Sequence, residues 1–133
     1  MEKVPDRFFV DIEDRNLYDE IEIFKTKSRK EQFLLAMTIG FKDGAKLKLK
    51  SPDGFFLLKD LNQEDEALIN AVAIKESDNI EVLLDKKKVY NIAEQYAHAG
   101  VRILHDKIIS TQFGSFNVKF EKELFDIYKD LKL

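Results

Sequence analysis

The sequence predicts a mainly α-helical protein: a compact bundle of five or six helices with at most a small β-hairpin, in a single domain spanning residues 1–133. Two observations favour this fold class. In most segments apolar residues recur three and four positions apart, the period of one helix face. Residues that start and stop helices separate these segments. The chain is also 44% hydrophobic with 11 Phe, enough apolar material to form a core.

The N-terminal segment has two interpretations. Residues 7–12 can begin as a strand or as an extended arm. Asp14 then caps a short helix whose apolar residues, Leu17, Tyr18 and Ile21, lie on one face.

The next helix has a clear start. Ser28 and Glu31 are spaced as a capping box, in which the Ser28 hydroxyl accepts from the Glu31 amide and the Glu31 carboxylate accepts from the Ser28 amide. Residues 33–39 are apolar on nearly every side, which is typical of a helix at the centre of a bundle. Gly40 or Gly44 supplies the left-handed stop.

Residues 44–58 are predicted to form a loop or a small hairpin. Residues 45–50 alternate apolar residues with lysines, so a strand here would have one apolar face and one lysine face. Residues 51–54, Ser-Pro-Asp-Gly, have the composition of a turn.

Further helix signals follow. Asn62 caps a helix that ends at residues 77–79, and residues 80–84 fit either a strand or one helical turn. Asp85 begins another helix, which Gly100 ends, and a further short helix follows. After it comes an amphipathic C-terminal stripe formed by Phe120, Leu124, Ile127, Tyr128 and Leu131. Phe125 lies off this stripe, as part of a wide core face or as an exposed anchor for a partner.

Charge is unevenly distributed although the net charge is only −3. Residues 1–24 contain three basic and eight acidic side chains, whereas residues 25–50 contain eight basic and two acidic ones. The basic segment is a candidate surface for nucleic-acid phosphates. Ion pairing, including with the acidic N-terminal segment, would neutralise it instead. The candidate nucleic-acid-binding residues are Lys25, Lys27, Arg29, Lys30, Lys46, Lys48, Lys50, Lys86, Lys87 and Lys88.

The sequence has few residues suited to catalysis. There is no Cys, and the two histidines, His98 and His105, lie seven residues apart with Glu94 one turn before the first. No third ligand stands at a familiar zinc spacing, so we predict no metal, no cofactor and no catalytic residue. The N-terminus lacks an apolar signal segment and the longest apolar run is too short for a bilayer, which predicts a cytoplasmic protein.

One pattern points to a nuclease. Pro52-Asp53, a short apolar segment, and then Asp85 and Lys87 imitate the arrangement by which restriction nucleases hold Mg²⁺ with two carboxylates and activate water with a lysine. Such a nuclease needs a sheet of several strands, which a helical chain does not supply. Capping of a helix also explains Asp85.

Several stretches together resemble the Dnd system-associated protein 4 family, small proteins found beside DNA phosphorothioation genes. The resemblance implies a bacterial or archaeal defence system in which a sulphur-modified DNA backbone marks self, and it brings no active-site residue. The stretches that carry it are residues 24–31, 33–41, 65–74 and 92–100.

The expected function is that of a non-enzymatic accessory protein of a phosphorothioation-linked restriction system. It would act by association with other proteins of that system and by DNA-backbone contact without sequence selectivity. Two alternatives remain: a small Mg²⁺-dependent nuclease using Asp53, Asp85 and Lys87, and a helix-turn-helix DNA-binding regulator or antitoxin. The sequence gives no indication of oligomeric state.

Overall fold

The computed structural model describes residues 5–110 together with residues 126, 127 and 129. In these ranges the chain is mainly helical, as predicted, but it has four α-helices where five or six were expected. Short 3-10 turns join several elements. In chain order the elements are β1 (Arg7–Asp11), α1 (Arg15–Glu20), α2 (Arg29–Asp43), β2 (Pro52–Leu57), α3 (Gln63–Ser77) and α4 (Lys86–Ser110).

Helices α2 and α4 form the most extensive contact between any two described elements. Their backbones touch at two glycines. A Cβ built on Gly40 would lie 2.0 Å from the carbonyl oxygen of Tyr96, and one on Gly100 would lie 1.7 Å from that of Ala36. Only glycine permits an approach this close. The prediction that Gly100 ends a helix is therefore wrong, because α4 continues through it to Ser110.

The two strands come from distant parts of the chain. β1 pairs antiparallel with β2, from Arg7 opposite Leu57 to Asp11 opposite Pro52. The expected hairpin within residues 44–58 and the turn at residues 51–54 are thus wrong, since most of that turn belongs to β2. Residues 45–50 form no strand, so the loop alternative is confirmed for these residues but not for residues 52–57, which form β2. Residues 80–84 form a 3-10 turn.

Most of the predicted caps are confirmed. Ser28 and Glu31 form the capping box of α2, and Gly44 ends that helix in the left-handed conformation with φ 66°. Asn62 caps α3, and Asp85 accepts from the Lys88 amide at the start of α4. The exception is Asp14, whose side chain caps nothing.

The core lies between the sheet and the α2–α4 pair. Its centre is a cluster of aromatic rings in which Phe8 contacts Phe33, Phe56 and Tyr90 at centroid distances of 5.0, 5.1 and 4.9 Å. Pairs of this kind add to the hydrophobic gain from burial. Of the predicted C-terminal stripe only Ile127 is described, half-buried against this core. The other members, and Phe125, lie outside the described residues.

We expect Gly100→Ala to lower the free energy of unfolding by about 3 kcal/mol or more, because the added methyl group meets backbone that cannot rotate away. Gly44→Ala is the matched control. No atom lies within 4 Å of a Cβ at that position, so only the left-handed conformation is penalised, by about 1 kcal/mol. Urea unfolding of both variants measures the difference, and equal losses would contradict the close helix crossing.

Candidate functional site

Three polar side chains on α4 face the N-terminal part of the chain. Glu94, His98 and Arg102 are spaced four residues apart, so they lie in a line along one side of the helix. Glu94 and His98 are buried and Arg102 is half-buried. Each contacts β1 or the turn that follows it. This line fixes the strand against the helix.

His98 lies between two buried carboxylates. Its Nδ1 is 2.5 Å from Asp14 Oδ2, and its Nε2 is 3.9 Å from Asp11 Oδ2. Arg102 donates from Nε to the other oxygen of Asp14 at 3.1 Å. Asp14, which the sequence predicted as a helix cap, instead joins the two basic side chains on α4.

The two carboxylates differ electrostatically. Burial alone would raise the pKa of Asp11, but the backbone amides of Lys50, Glu13 and Ser51 donate to it and hold its pKa below the ordinary value. Burial raises the pKa of Asp14, against the lowering effect of His98 and Arg102. The side chains of this cluster include no Ser, Thr, Cys or Lys. Nor do the described ranges contain a group of three or more His, Cys, Asp or Glu side chains suited to a metal ion.

Glu94 borders a cleft between α4 and the segment before β2. One carboxylate oxygen accepts from the Phe9 amide at 2.8 Å, beside the shift in strand register between Phe8 and Phe9. Burial raises the pKa of Glu94 to about 7, with the Phe9 hydrogen bond opposing the shift. The cleft has a volume of about 380 Å³, and its lining residues are Phe9, Lys48, Leu49, Pro52, Asn91, Glu94 and Gln95.

Several of the predicted nucleic-acid-binding residues are neutralised. Two pair with the acidic N-terminal segment, Lys25 with Glu22 at 2.9 Å and Arg29 with Asp19 at 2.7 Å. Two others pair with α3. Lys30 contacts Asp65 at 2.8 Å, and Lys46 contacts Glu76, which also accepts from the Tyr96 hydroxyl. These four cations are therefore engaged within the protein.

The remaining predicted lysines are distributed over two regions. Lys27 is half-buried and lines a second pocket, of about 210 Å³, beside α2. The others are exposed. Within the part of the chain that the structure describes, Lys48, Lys50, Lys86 and Lys88 make no ion pair. Lys87 is exposed beside them at the start of α4.

The residues of the nuclease pattern are not brought together. Asp53 forms an ion pair with Arg15 at 2.7 Å and lies across the sheet from Val10, the neighbour of Asp11. Asp11 in turn lies near His98. His98 is thirteen residues after Asp85, which corresponds to about 20 Å along the helix. A shared Mg²⁺ needs both carboxylates within one coordination sphere.

The second histidine is separate from the first. His105 is half-buried, with Nε2 3.9 Å from Glu20 Oε2. The spacing of Glu94 and His98, one helical turn apart, was the sequence signal for this region, whereas the stop predicted at Gly100 separated His105 from them. This spacing indicated a common face but not its partners, which come from β1 and the turn after it.

These features define a small, mainly helical protein with a cleft and an exposed set of lysines. The chain belongs to the family described as DNA sulphur modification system-associated protein 4, whose model matches residues 15–119. This confirms the resemblance seen in the sequence. Comparisons with curated proteins and with solved structures gave no match. Among the helices of the described ranges, none combines the length and apolar character needed to cross a bilayer.

We expect Glu94 to make stability depend on pH. A raised pKa means that the folded state holds the proton more tightly than the unfolded chain does. The stability linked to this proton is complete below the unfolded pKa of 4.5 and is lost as the pH rises through about 7. The loss amounts to about 3 kcal/mol.

Glu94→Gln keeps an acceptor for the Phe9 amide and removes the titration. Urea unfolding between pH 5 and pH 9 should show the wild type losing about 3 kcal/mol relative to this variant. Glu81→Gln, which changes an exposed carboxylate, is the control and should follow the wild type. Parallel curves for the wild type and Glu94→Gln would contradict the buried, proton-holding carboxyl.

Proposed function

We propose that this protein is a non-enzymatic accessory of a DNA sulphur modification system, active in the cytoplasm, that contacts the DNA backbone with its exposed lysines. Family membership supports the association with the modification system. The observation that carries the DNA contact is that Lys48, Lys50, Lys86 and Lys88 stay exposed and unpaired among the described residues, while other cations of the basic set are neutralised.

The position of these lysines supports the proposal. Lys48 lines the cleft together with Asn91, and Lys88 lies three residues before Asn91 on the same side of α4. Cations in the first turn of a helix oppose its dipole, at about 0.3–1 kcal/mol each at low salt. A polyanion bound there would remove this repulsion. Phosphate contacts of this kind give strong, sequence-independent binding at low salt.

Removal of two of these lysines should weaken DNA binding. We expect Lys48→Ala with Lys88→Ala to lower the affinity for a duplex and to reduce the slope of log K against log salt concentration by about 2. Fluorescence anisotropy over a salt series measures both. The matched control is Lys59→Ala with Lys75→Ala, which removes the same charge from exposed lysines on other elements.

Equal weakening by both double variants would show that only net charge matters, against a defined surface. Absence of binding at low salt would contradict the DNA contact altogether. A second duplex of unrelated sequence should bind equally well. Strong preference for one sequence would favour the regulator alternative instead. Plasmid nicking in Mg²⁺ that Asp85→Ala abolishes would favour the nuclease.

We also propose that the protein associates with other proteins of the same system. The supporting observation is the 3-10 turn before α4, where Leu84 is 87% exposed and Ile80 is 68% exposed. Exposed apolar groups close together are typical of protein contacts. Neither side chain supports the core, so both can be changed without unfolding the protein.

Co-expression with the other proteins of the system, followed by affinity purification, tests this association. We expect Leu84→Asp with Ile80→Asp to reduce recovery of the bound protein at least tenfold, as loss of an apolar anchor does. Leu47 is 45% exposed on the loop after α2. The substitution Leu47→Asp is the control and should leave recovery unchanged. Unchanged recovery with the double variant would contradict this contact surface.

A further inference from the structure

The cleft beside Glu94 is held open by backbone contacts at both ends of one segment. The Leu47 amide donates to the Gln95 carbonyl at 3.1 Å, and the amides of Lys50 and Ser51 donate to Asp11 at 2.8 and 3.2 Å. Lys48 and Leu49 lie between these anchor points and line the cleft. The wall of the cleft is therefore fixed by hydrogen bonds before any ligand arrives.

The cleft has the size of a ligand site. Its volume of about 380 Å³ lies in the range of about 300–1,000 Å³ that small-molecule sites occupy. The pocket near Lys27 and another beside β2 are smaller, at about 210 and 160 Å³. Three apolar residues, Phe9, Leu49 and Pro52, contribute to its lining and provide surface for a flat ring.

The polar residues of the cleft fit the edge of a nucleobase. Asn91 and Gln95 each have an amide that donates and accepts hydrogen bonds. Glu94 exchanges its proton near neutral pH, so its carboxyl group both donates and accepts. A bare metal ion would need several carboxylates, whereas this cleft has one, with Lys48 beside it. Lys48 and the neighbouring Lys88 instead favour an anionic ligand.

We propose that this cleft binds a single unpaired nucleotide, with its base between Phe9, Leu49 and Pro52 and its phosphate at Lys48. Asn91, Glu94 and Gln95 contact the edge of the base. The inference rests on the proposed DNA contact, which it extends from the backbone to one base. The nucleotide is either a residue displaced from a DNA strand or a free nucleotide, since both present the same groups.

Two DNA duplexes test whether the site takes a nucleotide displaced from a DNA strand. One is fully paired, and the other has the same sequence with one unpaired nucleotide in the middle. We expect the wild type to bind the second duplex about tenfold more tightly, because a base that stacks in a protein site adds this much or more. Asn91→Ala with Gln95→Ala removes contacts to the edge of the base, so it should reduce this preference and leave the affinity for the paired duplex unchanged. The matched control, Gln63→Ala with Asn70→Ala on α3, should keep it.

Lys48→Ala should weaken binding of both duplexes, which separates the phosphate contact from the base contact. Equal affinity of the wild type for the two duplexes, together with no binding of free nucleotides, would overturn the nucleotide site and leave the backbone contact standing. A separate experiment titrates the free nucleotides dAMP, dGMP, dCMP and dTMP into the protein by calorimetry. Suppose that a free nucleotide binds, that Asn91→Ala with Gln95→Ala abolishes this binding, and that the wild type shows no preference between the duplexes. This result would support the site and identify a free nucleotide as its ligand. Failure of all DNA and all nucleotides to bind would overturn both proposals.

Discussion

The close contact of α2 with α4 determines the rest of the structure. Gly40 and Gly100 let the two backbones touch, so α4 continues as one helix of 25 residues where a stop was predicted. A continuous helix is what places Glu94, His98 and Arg102 along one line. If the helix ended at Gly100, Arg102 would have no defined position relative to Asp14. The contact between Arg102 and Asp14 therefore depends on a glycine that takes no part in it.

Local sequence predicted the helix starts well and the long-range contacts poorly. Ser28, Asn62 and Asp85 cap helices through atoms only three residues away, so their patterns carry the whole interaction. Gly100 was misread because glycine serves equally as a helix stop and as a site of close packing, and the difference depends on the opposing helix. The pairing of β1 with β2 likewise involves distant residues, from Asp11 with Pro52 to Arg7 with Leu57.

The candidate sites show the same difference between what local sequence predicts and what long-range contacts decide. The sequence identified the basic segment and the spacing of Glu94 and His98, but not which charges remain available. Lys30 is neutralised by Asp65 and Lys46 by Glu76, each some thirty residues away. Only the fold decides that Lys48 stays exposed at a cleft. Composition thus indicated the kind of ligand, and tertiary structure selected the residues.

Two buried carboxylates shape the cleft although they come from different elements. Asp11 holds the backbone at residues 50 and 51, which fixes the wall that carries Lys48. Glu94 holds the Phe9 amide where the strand register shifts. Both accept hydrogen bonds from backbone amides. At Glu94 the effect of burial is the larger one and raises the pKa, whereas at Asp11 three amides together outweigh burial and lower the pKa. One carboxylate stays charged and acts as a structural anchor. Burial raises the pKa of the other to about 7, so near neutral pH its protonated form offers a donor to a ligand as well as an acceptor to the strand.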